Sequence, residues 1–321
     1  MSDPALFEIR DLTIESVREG SRRRIVEGMS LSVRHGEIVG LVGESGSGKS
    51  ISMMASVGLA AASLDITAGE IAFAGRRFAA SDREGLRSNL SHGCSLLFQN
   101  AKGALGPFLT AGAQVDRVLA GRMPKAARRR EAAELFRVCG LNHADLADKY
   151  PHQISGGQAQ RVAMACALAT EPRLLIADEP TTALDVTTER ELLRFLARLC
   201  RERDLAIVLI AHNLSLVAEY CSGRTILHAG QIVDRGPLAS VFAEPLHPYT
   251  RGLIAAVPDV DEPHELVPLA GSVWGGRNDI ERCRFSHRCA FARPDCEAAV
   301  PPLLERAGHE VRCVLYREDA A

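Results

Sequence analysis

The chain has 321 residues, enough for one large α/β domain and a smaller appendage. Its formal net charge of −2 gives no overall basic character of the kind that attracts nucleic acid. The clusters Arg22–Arg24 and Arg128–Arg130 are short, and we interpret them as solvated surface. No stretch reaches the ~18 to 20 apolar residues that span a bilayer, and the N-terminus lacks a signal-peptide pattern. We therefore expect a soluble, cytoplasmic protein that meets a membrane only through partners.

The N-terminal part of the chain predicts strands followed by a strand–loop–helix unit. Residues 5–35 show partial alternation of apolar and polar side chains, which is typical of β structure. Glu37–Val42 is short, apolar and β-branched, which predicts a buried strand. The Ala-rich segment Ile51–Leu64 predicts a helix, and Glu70–Ala74 predicts a further strand.

The loop between that strand and helix reads Gly43-Glu44-Ser45-Gly46-Ser47-Gly48-Lys49-Ser50 and fits the phosphate-binding pattern G-x-x-x-x-G-K-S/T. Glycines let backbone N–H groups turn inward, and the helix N-terminus favours anions. We expect Lys49 to reach the β- and γ-phosphates and the Ser50 hydroxyl to bind Mg²⁺. A chance match in a glycine-rich turn is the alternative, and the strand–loop–helix context argues against it. The predicted nucleotide contacts are Gly43, Ser45, Gly46, Ser47, Gly48, Lys49, Ser50 and Ile51.

The middle of the chain predicts a helical region and then a strand–helix–strand unit. Residues 82–165 are mostly helical and charged in character, and two apolar strands follow at Leu174–Ala177 and Leu205–Ile210. Between them, Thr188-x-x-Glu191 fits a capping box and predicts the start of a helix. This order of elements indicates a parallel sheet covered by helices.

The last part of the chain predicts a hairpin and a separate appendage. Thr225–Asp234 has the pattern of two strands that turn at Ala229–Gly230. Beyond Pro245 the composition shifts to proline, cysteine and arginine, so the appendage is expected to begin near residues 250 to 260.

The strand Leu174–Ala177 ends in two carboxylates, Asp178 and Glu179. The end of such a strand is expected beside a phosphate loop, at the carboxyl edge of the sheet. Asp178 is the candidate for holding Mg²⁺, directly or through water, and Glu179 for polarising a water that attacks the γ-phosphorus. An acidic pair at a strand end can also be merely the start of a loop. The phosphate loop in the same chain favours the catalytic interpretation.

The segment Ile154-Ser155-Gly156-Gly157-Gln158 resembles the Leu-Ser-Gly-Gly-Gln signature of the ATP-binding subunits of ABC transporters, with Ile in place of Leu. The resemblance implies an α/β fold of the ABC type, with a mixed sheet core, an antiparallel N-terminal β part and a helical subdomain at about 82–165. It also implies that this turn caps the next helix and binds the γ-phosphate of ATP held by a facing subunit. The signature residues expected to contact nucleotide are Ser155, Gly156, Gly157 and Gln158.

Three further positions match this family. Phe98-Gln99 corresponds to the Q-loop, where Gln99 is expected to sense Mg²⁺ and the attacking water. Thr182–Asp185 corresponds to the D-loop, so Asp185 is a predicted contact of the nucleotide site. His212 follows a strand at the place of the switch histidine, which contacts the γ-phosphate; a purely structural histidine is the alternative.

An adenine-stacking aromatic residue near the N-terminal strand is usual in the family and has no counterpart here. Glu15 and Ser16 stand roughly where it would be expected. The sequence therefore leaves the recognition of the base open.

The C-terminal part of the sequence narrows the resemblance to one subfamily of importers. Glu244–Leu253 looks like the His-Pro-Tyr-Thr segment of oligopeptide, dipeptide, nickel and opine importers, in which we expect Pro248 to start a helix and Tyr249 to dock it. Asn100–Thr110 resembles the segment that receives a coupling helix of the membrane subunit. The predicted division is a nucleotide-binding domain at 1–255 and an extension at 256–321.

Four of the nine cysteines lie in the tail, in a spacing that resembles the cysteine-rich extension of the same subfamily. Four thiolates suit a 4Fe–4S cluster or tetrahedral zinc, and no metal is the third possibility. The spacing lacks the close C-x2-C pairs of common zinc modules, and the resemblance favours the cluster. The candidate ligands are Cys283, Cys289, Cys296 and Cys313.

Together these features predict an ATPase that powers import of peptides or related small solutes. The expected partners are two membrane permease subunits, a second ABC ATP-binding subunit (identical or related) and, indirectly, an extracytoplasmic solute-binding protein. Its expected place is peripheral, on the cytoplasmic face of the inner or plasma membrane. One alternative is a soluble ABC ATPase acting on nucleic acid or ribosomes, whose usual second cassette, coiled insertions or basic surfaces are not evident. Another is a purely regulatory nucleotide-binding module, against which Glu179 and His212 argue.

Overall fold

The structure is a computed structural model that describes residues 4–18, 21–181, 184–212, 214–256, 269, 271–274 and 281–317. The strands in these ranges are β1 (Phe7–Arg18), β2 (Ser21–Val33), β3 (Ile38–Val42), β4 (Leu64–Phe73), β5 (Arg76–Ala79), β6 (Cys94–Leu97), β7 (Leu174–Asp178), β8 (Ala206–Ala211), β9 (Gly223–His228), β10 (Gln231–Pro237), β11 (Leu304–Arg306) and β12 (His309–Val311).

The helices in the same ranges are α1 (Lys49–Ser56), α2 (Arg83–Ser91), α3 (Ala101–Ala104), α4 (Ala111–Leu119), α5 (Lys125–Val138), α6 (His143–Leu146), α7 (Gly156–Leu168), α8 (Val186–Arg203), α9 (Leu214–Tyr220), α10 (Leu238–Ala243), α11 (Pro248–Ala255) and α12 (Pro294–Ala298). None of these helices is long and apolar enough to cross a bilayer. The chain divides into two compact units. The first comprises Met1–Arg34, Ile38–Arg87 and Leu209–Ala321, and the second comprises His35–Glu37 and Ser88–Val208.

The first unit contains an antiparallel sheet in the order β2-β1-β4-β5. In β1, alternate residues Phe7 and Ile9 are buried, and the pattern then shifts by one residue to Leu12 and Ile14. A bulge at Asp11, whose φ is +49°, causes this shift. The bulge keeps all four apolar side chains in the core, because without it the face would reverse. The β structure expected at residues 5–35 is confirmed.

A second sheet in the first unit runs in the order β11-β12-β10-β9-β3. Strands β3 and β9 are parallel, whereas the remaining neighbours are antiparallel, so this sheet is mixed. All five residues of β3 are buried. The β9–β10 hairpin turns at Ala229 and Gly230, whose φ values of +45° and +80° are left-handed. Two such residues form the turn that matches the twist of a hairpin, and the predicted turn is therefore confirmed.

The second unit combines parallel strands with the helices α3 to α8. Strand β6 pairs in parallel with β7, which is buried along its whole length. Helices α4, α5 and α6 pack on one another, and α3, α4 and α5 contact α7. The sequence analysis did not predict β6, because Cys94–Leu97 is only four residues long, includes a serine and lies inside a region that reads as helical.

Two predictions of helix bounds were wrong. The helix expected over Ile51–Leu64 ends at Ser56, because Gly58 turns the chain with a φ of +74° and Leu64 already begins β4. The helix α8 starts one turn before the expected capping box. Asp185 is its N-cap and accepts hydrogen bonds from the N–H groups of Thr187 and Thr188, at 3.1 and 3.0 Å.

The two basic clusters were predicted to be solvated surface, but each contains an arginine that pairs with nearby carboxylates. Arg22 lies 2.9 Å from Asp65 and 3.3 Å from Glu15, and it remains 59% exposed. Arg128 is largely covered and lies 3.2 Å from Asp116. These arginines therefore form local ion pairs, although such partly exposed pairs contribute only about 0–1 kcal/mol each.

Two of the Ala-Gly hairpin turns in the first unit, Ala74–Gly75 and Ala229–Gly230, allow a test of how closely Gly230 is packed. A Cβ at Gly230 would lie 1.7 Å from the Ile25 carbonyl oxygen, whereas a Cβ at Gly75, with a similar φ of +82°, would meet nothing within 4 Å. We expect Gly75→Ala to reduce the free energy of unfolding by about 1 kcal/mol through backbone strain alone. Gly230→Ala should lose roughly 1–3 kcal/mol more, because the backbone must move. Urea unfolding of both variants measures this difference, and equal losses would contradict the close approach.

Candidate functional site

The phosphate loop connects β3 to α1 in the first unit. Three of its glycines have φ values in or near the left-handed range: +156° at Gly43, +80° at Gly46 and +104° at Gly48. A Cβ at Gly43 would lie 2.2 Å from the Leu227 carbonyl oxygen. These positions therefore require glycine. The loop leads directly into the N-terminus of α1, where anions are favoured.

Lys49 is buried at the start of α1, and its ammonium group bends back over the loop. Its Nζ donates to the carbonyl oxygens of Gly43 at 2.7 Å and Glu44 at 2.9 Å. Ser47 is also buried, and its Oγ has no hydrogen-bond partner among the residues that the structure describes. Ser45 and Gly46 are exposed at the loop tip, and Ser50 is half-buried in the first turn of α1. The arrangement gathers a cation, hydroxyls and helix N–H groups in eight consecutive residues.

Two carboxylates follow β7 in the second unit, as the sequence predicted. Asp178 ends the strand and is buried, and Glu179 comes next with a left-handed φ of +43°. Because β6 and β7 are parallel, the residues after both strands emerge at the same edge. Gln99 follows β6, and its Nε2 donates to Glu179 Oε2 at 2.6 Å. The structure thus brings Gln99 and Glu179 into direct contact.

The signature turn in the second unit caps α7. Ser155 Oγ accepts from the Gln158 N–H at 3.2 Å, and the Gln158 side chain accepts from the Ser155 N–H at 3.0 Å. This reciprocal pair is a capping box, which confirms the predicted cap. Ser155, Gly157 and Gln158 line a polar recess of about 610 Å³ that also contains Lys149 and Arg161. Gly156, exposed beside them, begins the helix.

Asp185 and His212 were predicted as parts of the nucleotide site. Both carboxylate oxygens of Asp185 are used within the cap of α8, since Oδ2 also accepts from Thr188 Oγ1 at 2.7 Å. These hydrogen bonds lower the pKa of Asp185. His212 is exposed and directly follows β8. Thr182 and Ala183 of the predicted D-loop lie outside the described residues.

The four tail cysteines line one small cavity in the first unit, together with His247, Phe285 and Phe291. Burial raises the pKa of Cys283 to about 12, and it also raises the pKa values of Cys289 and Cys313. In the described part of the chain, no three His, Cys, Asp or Glu side chains are arranged to hold a metal ion. The cysteines therefore share a cavity without forming a ligand set.

Three residues of the C-terminal part contact the phosphate loop, and the sequence analysis did not foresee this. The Tyr249 hydroxyl accepts from the Glu44 N–H at 2.9 Å, and Arg288 pairs with the Glu44 carboxylate. Trp274 Nε1 donates to the Gly46 carbonyl oxygen at 3.1 Å. Tyr249 was expected only to dock α11, which its complete burial confirms. No local pattern marks partners more than two hundred positions apart.

Comparisons with known proteins agree with this geometry. Residues 26–182 match the family described as ABC transporter, and residues 233–296 match the oligopeptide/dipeptide transporter, C-terminal region. The oligopeptide transport ATP-binding protein AppD of Bacillus subtilis (strain 168) is 38% identical, with 98% of each chain covered. The chain belongs to the family of ABC transporter ATP-binding proteins. The dipeptide transport ATP-binding protein DppD of Escherichia coli (strain K12) is 37% identical, again with 98% of each chain covered.

A solved structure gives the same result for the fold. The ATP-binding cassette MJ0796, in a dimeric post-hydrolysis state bound to ADP and Pi, has a TM-score of 0.65 and 27% identity. The similarity covers 72% of this chain and 98% of the cassette. The predicted ABC-type fold and the prediction of an ABC-type ATPase are thereby confirmed.

The cap at Ser155 yields a stability test. Ser155→Ala removes the acceptor for the Gln158 N–H and is expected to reduce the free energy of unfolding by about 1 kcal/mol. Ser155→Asp retains a capping oxygen next to a positive helix end and should stay close to the wild type. Urea titration of the three proteins measures the difference. An equal loss in both variants would show that the hydroxyl does not act as a cap.

Proposed function

We propose that this ABC ATPase binds and hydrolyses ATP to power the import of peptides or related small solutes through partner permeases. The observation that carries the proposal is similarity along the whole chain to oligopeptide and dipeptide transport ATP-binding proteins, tail included. A soluble ABC ATPase acting on nucleic acid or ribosomes is not favoured, because these full-length relatives are named as transport proteins.

In this proposal the phosphate loop holds the triphosphate and the metal. Lys49 and the loop N–H groups neutralise phosphate charge, and Ile51 lies in the first turn of the same helix. A hydroxyl, an amide oxygen and a carboxylate, from Ser50, Gln99 and Asp178, are ligand types that suit Mg²⁺. Bound Mg²⁺ would neutralise charge that develops on the phosphate oxygens.

Activation of the attacking water is assigned to Glu179, which orients the water or accepts its proton. Gln99 fits a positioning role, since its amide donates to Glu179 and fixes the carboxylate. The left-handed backbone at Glu179 supports this assignment, because strained conformations cluster at functional sites. His212 is proposed to contact the γ-phosphate. Apart from any proton transfer to Glu179, these roles are positioning and electrostatic, which is typical of phosphoryl transfer.

A facing cassette, identical or related, completes the proposed site. Ser155, Gly156, Gly157 and Gln158 would then bind the γ-phosphate held by the facing chain. The capped N-terminus of α7 supports this, because it combines exposed small residues with a favourable end for anions. ATP binding would close two cassettes, and hydrolysis would release them. Asp185 is proposed to support that contact through the cap of α8.

The proposed partners also include two permease subunits and, indirectly, an extracytoplasmic solute-binding protein. The segment between β6 and α4 supports a docking role, since Phe98 is 41% exposed and Phe108 is 90% exposed. Exposed aromatic side chains of this kind are enriched where proteins bind one another. The chain would thus work as a peripheral protein on the cytoplasmic face of the membrane.

The assignment of Glu179 has a direct test. Glu179→Gln is expected to bind ATP with wild-type affinity and to reduce turnover at least about a hundredfold, because the water loses its base. Closed dimers should accumulate with ATP, as measured by size-exclusion chromatography. The control is Glu171→Gln, which neutralises an exposed carboxylate that also has a left-handed backbone, with a φ of +50°. Wild-type hydrolysis by Glu179→Gln would overturn the assignment.

We also propose that the cysteine cavity holds a metal centre, for which a 4Fe–4S cluster is the first choice and zinc the second. Four cysteines, two buried and two half-buried, line one cavity and supply the number and type of ligands that such a centre needs, although they do not form a ligand set in this structure. A bound metal would keep the thiols deprotonated and tie the tail segments together. ATP hydrolysis itself needs no such group.

Protein purified without oxygen provides the test. About four iron atoms per chain with acid-labile sulfide are expected for a cluster, or one zinc for a tetrahedral site. Cys289→Ser should lose the metal, whereas Cys94→Ser, which changes a buried cysteine in β6, should keep it. Protein without iron, zinc or visible absorbance would dismiss the metal centre.

A further inference from the structure

Glu44, the second residue of the phosphate loop, is held from three sides. Its N–H donates to the Tyr249 hydroxyl, and its carbonyl oxygen accepts from Lys49. Its carboxylate forms a two-point pair with Arg288, with Nη1–Oε2 at 2.7 Å and Nη2–Oε1 at 3.0 Å. Two parallel hydrogen bonds between planar groups fix orientation as well as charge. The backbone at Glu44 is therefore bound by α11, and its side chain by the segment around Arg288.

The pair is largely shielded from water. The Arg288 side chain is 2% exposed and the Glu44 side chain 28% exposed. His228 also faces Glu44, at 3.9 Å between Nδ1 and Oε2, but burial and the nearby Arg288 lower the pKa of His228 well below its ordinary value. The positive charge opposite Glu44 is thus that of Arg288. Removing one partner of such a pair leaves an uncompensated charge, which is strongly unfavourable.

Three packed aromatic rings support the contact between Glu44 and its partners. The rings of His228, Tyr249 and Phe285 pack against one another, with centroids 4.5 to 5.4 Å apart. Arg288 lies over Phe285, at 5.8 Å from its centroid. Packed aromatic rings hold few alternative arrangements, so the hydroxyl and the guanidinium are presented to Glu44 from a fixed position.

A second tail residue touches the loop independently. Trp274 Nε1 donates to the Gly46 carbonyl oxygen, two residues beyond Glu44. The guanidinium of Arg23 covers the indole at 4.3 Å. Trp274 is the one tryptophan of the chain, so its fluorescence reports on the loop without any added probe.

We propose that Arg288 and Tyr249 are positioning residues for the phosphate loop, through which the C-terminal part of the chain sets the affinity for ATP. This inference rests on the proposed binding of triphosphate by that loop. Tyr249 fixes the loop backbone before nucleotide arrives, which reduces the ordering that binding requires. Arg288 neutralises a carboxylate that otherwise repels the triphosphate from within the loop itself.

The two effects are tested with three variants. MgATP titrations are followed by Trp274 emission and, separately, by a fluorescent ATP analogue. Arg288→Gln should raise the Kd of ATP about tenfold, because Glu44 becomes an unpaired anion beside the ligand. Glu44→Gln combined with Arg288→Gln removes both charges and should return the Kd to within about threefold of wild type. Tyr249→Phe keeps the ring and should raise the Kd about threefold through the lost hydroxyl.

The matched control is Arg282→Gln, which breaks the Arg282–Glu297 ion pair in the same C-terminal segment. It should bind ATP as the wild type does, whatever it does to the melting temperature. A purely structural role for Arg288 would lower the melting temperature, and the double variant would not regain affinity. That result, or a wild-type Kd in both Arg288→Gln and Tyr249→Phe, overturns the inference.

The Lys49→Ala variant distinguishes a failure of this inference from a failure of the proposed function on which it rests. If Lys49→Ala binds ATP as tightly as the wild type, the phosphate loop is not the nucleotide site and the proposed function fails. If Lys49→Ala loses ATP while Arg288→Gln and Tyr249→Phe do not, only the positioning role fails.

Discussion

The phosphate loop depends on how closely the β9–β10 hairpin approaches it. The Leu227 carbonyl oxygen leaves no space for a side chain at Gly43, and the Gly230 N–H donates to the Ser47 carbonyl oxygen at 2.8 Å. Gly230 in turn lies against Ile25, and its own carbonyl oxygen accepts from the Glu27 N–H at 2.9 Å. The glycines are therefore needed twice: they let the loop turn, and they admit the strands that keep it turned.

In the second unit, the candidate catalytic carboxylate is on a residue with a strained backbone. Glu179 has a left-handed backbone, which is unfavourable by about 1–2 kcal/mol for a residue with a Cβ. The Gln99 amide holds its carboxylate from the neighbouring strand end. Buried β7 and its parallel neighbour fix the chain immediately before this residue. The catalytic assignment therefore has a structural reason as well as a family one.

Local signals in the sequence were sufficient for much of the fold and the site. The phosphate loop, the Ala229–Gly230 turn and the cap at Ser155 each follow from a few adjacent residues with fixed chemistry, and each was predicted. The start of α8 was missed because aspartate and threonine are both favoured N-cap residues. The residue type alone therefore does not distinguish Asp185 from Thr188 as the cap. The pairing of Glu44 with Arg288 joins positions 244 residues apart, so no local pattern could show it.

The aromatic cluster beneath Glu44 has a practical consequence for choosing expression boundaries. A cut after α11, at the domain boundary predicted from the sequence, would leave a cassette that carries every nucleotide motif. Such a fragment would keep Glu44 but lose the guanidinium opposite it, and the rings of His228 and Tyr249 would lose the cover of Phe285. A shortened cassette would thus have an unpaired carboxylate and an exposed apolar surface beside the phosphate loop. Weak nucleotide binding by such a fragment would say little about the intact protein.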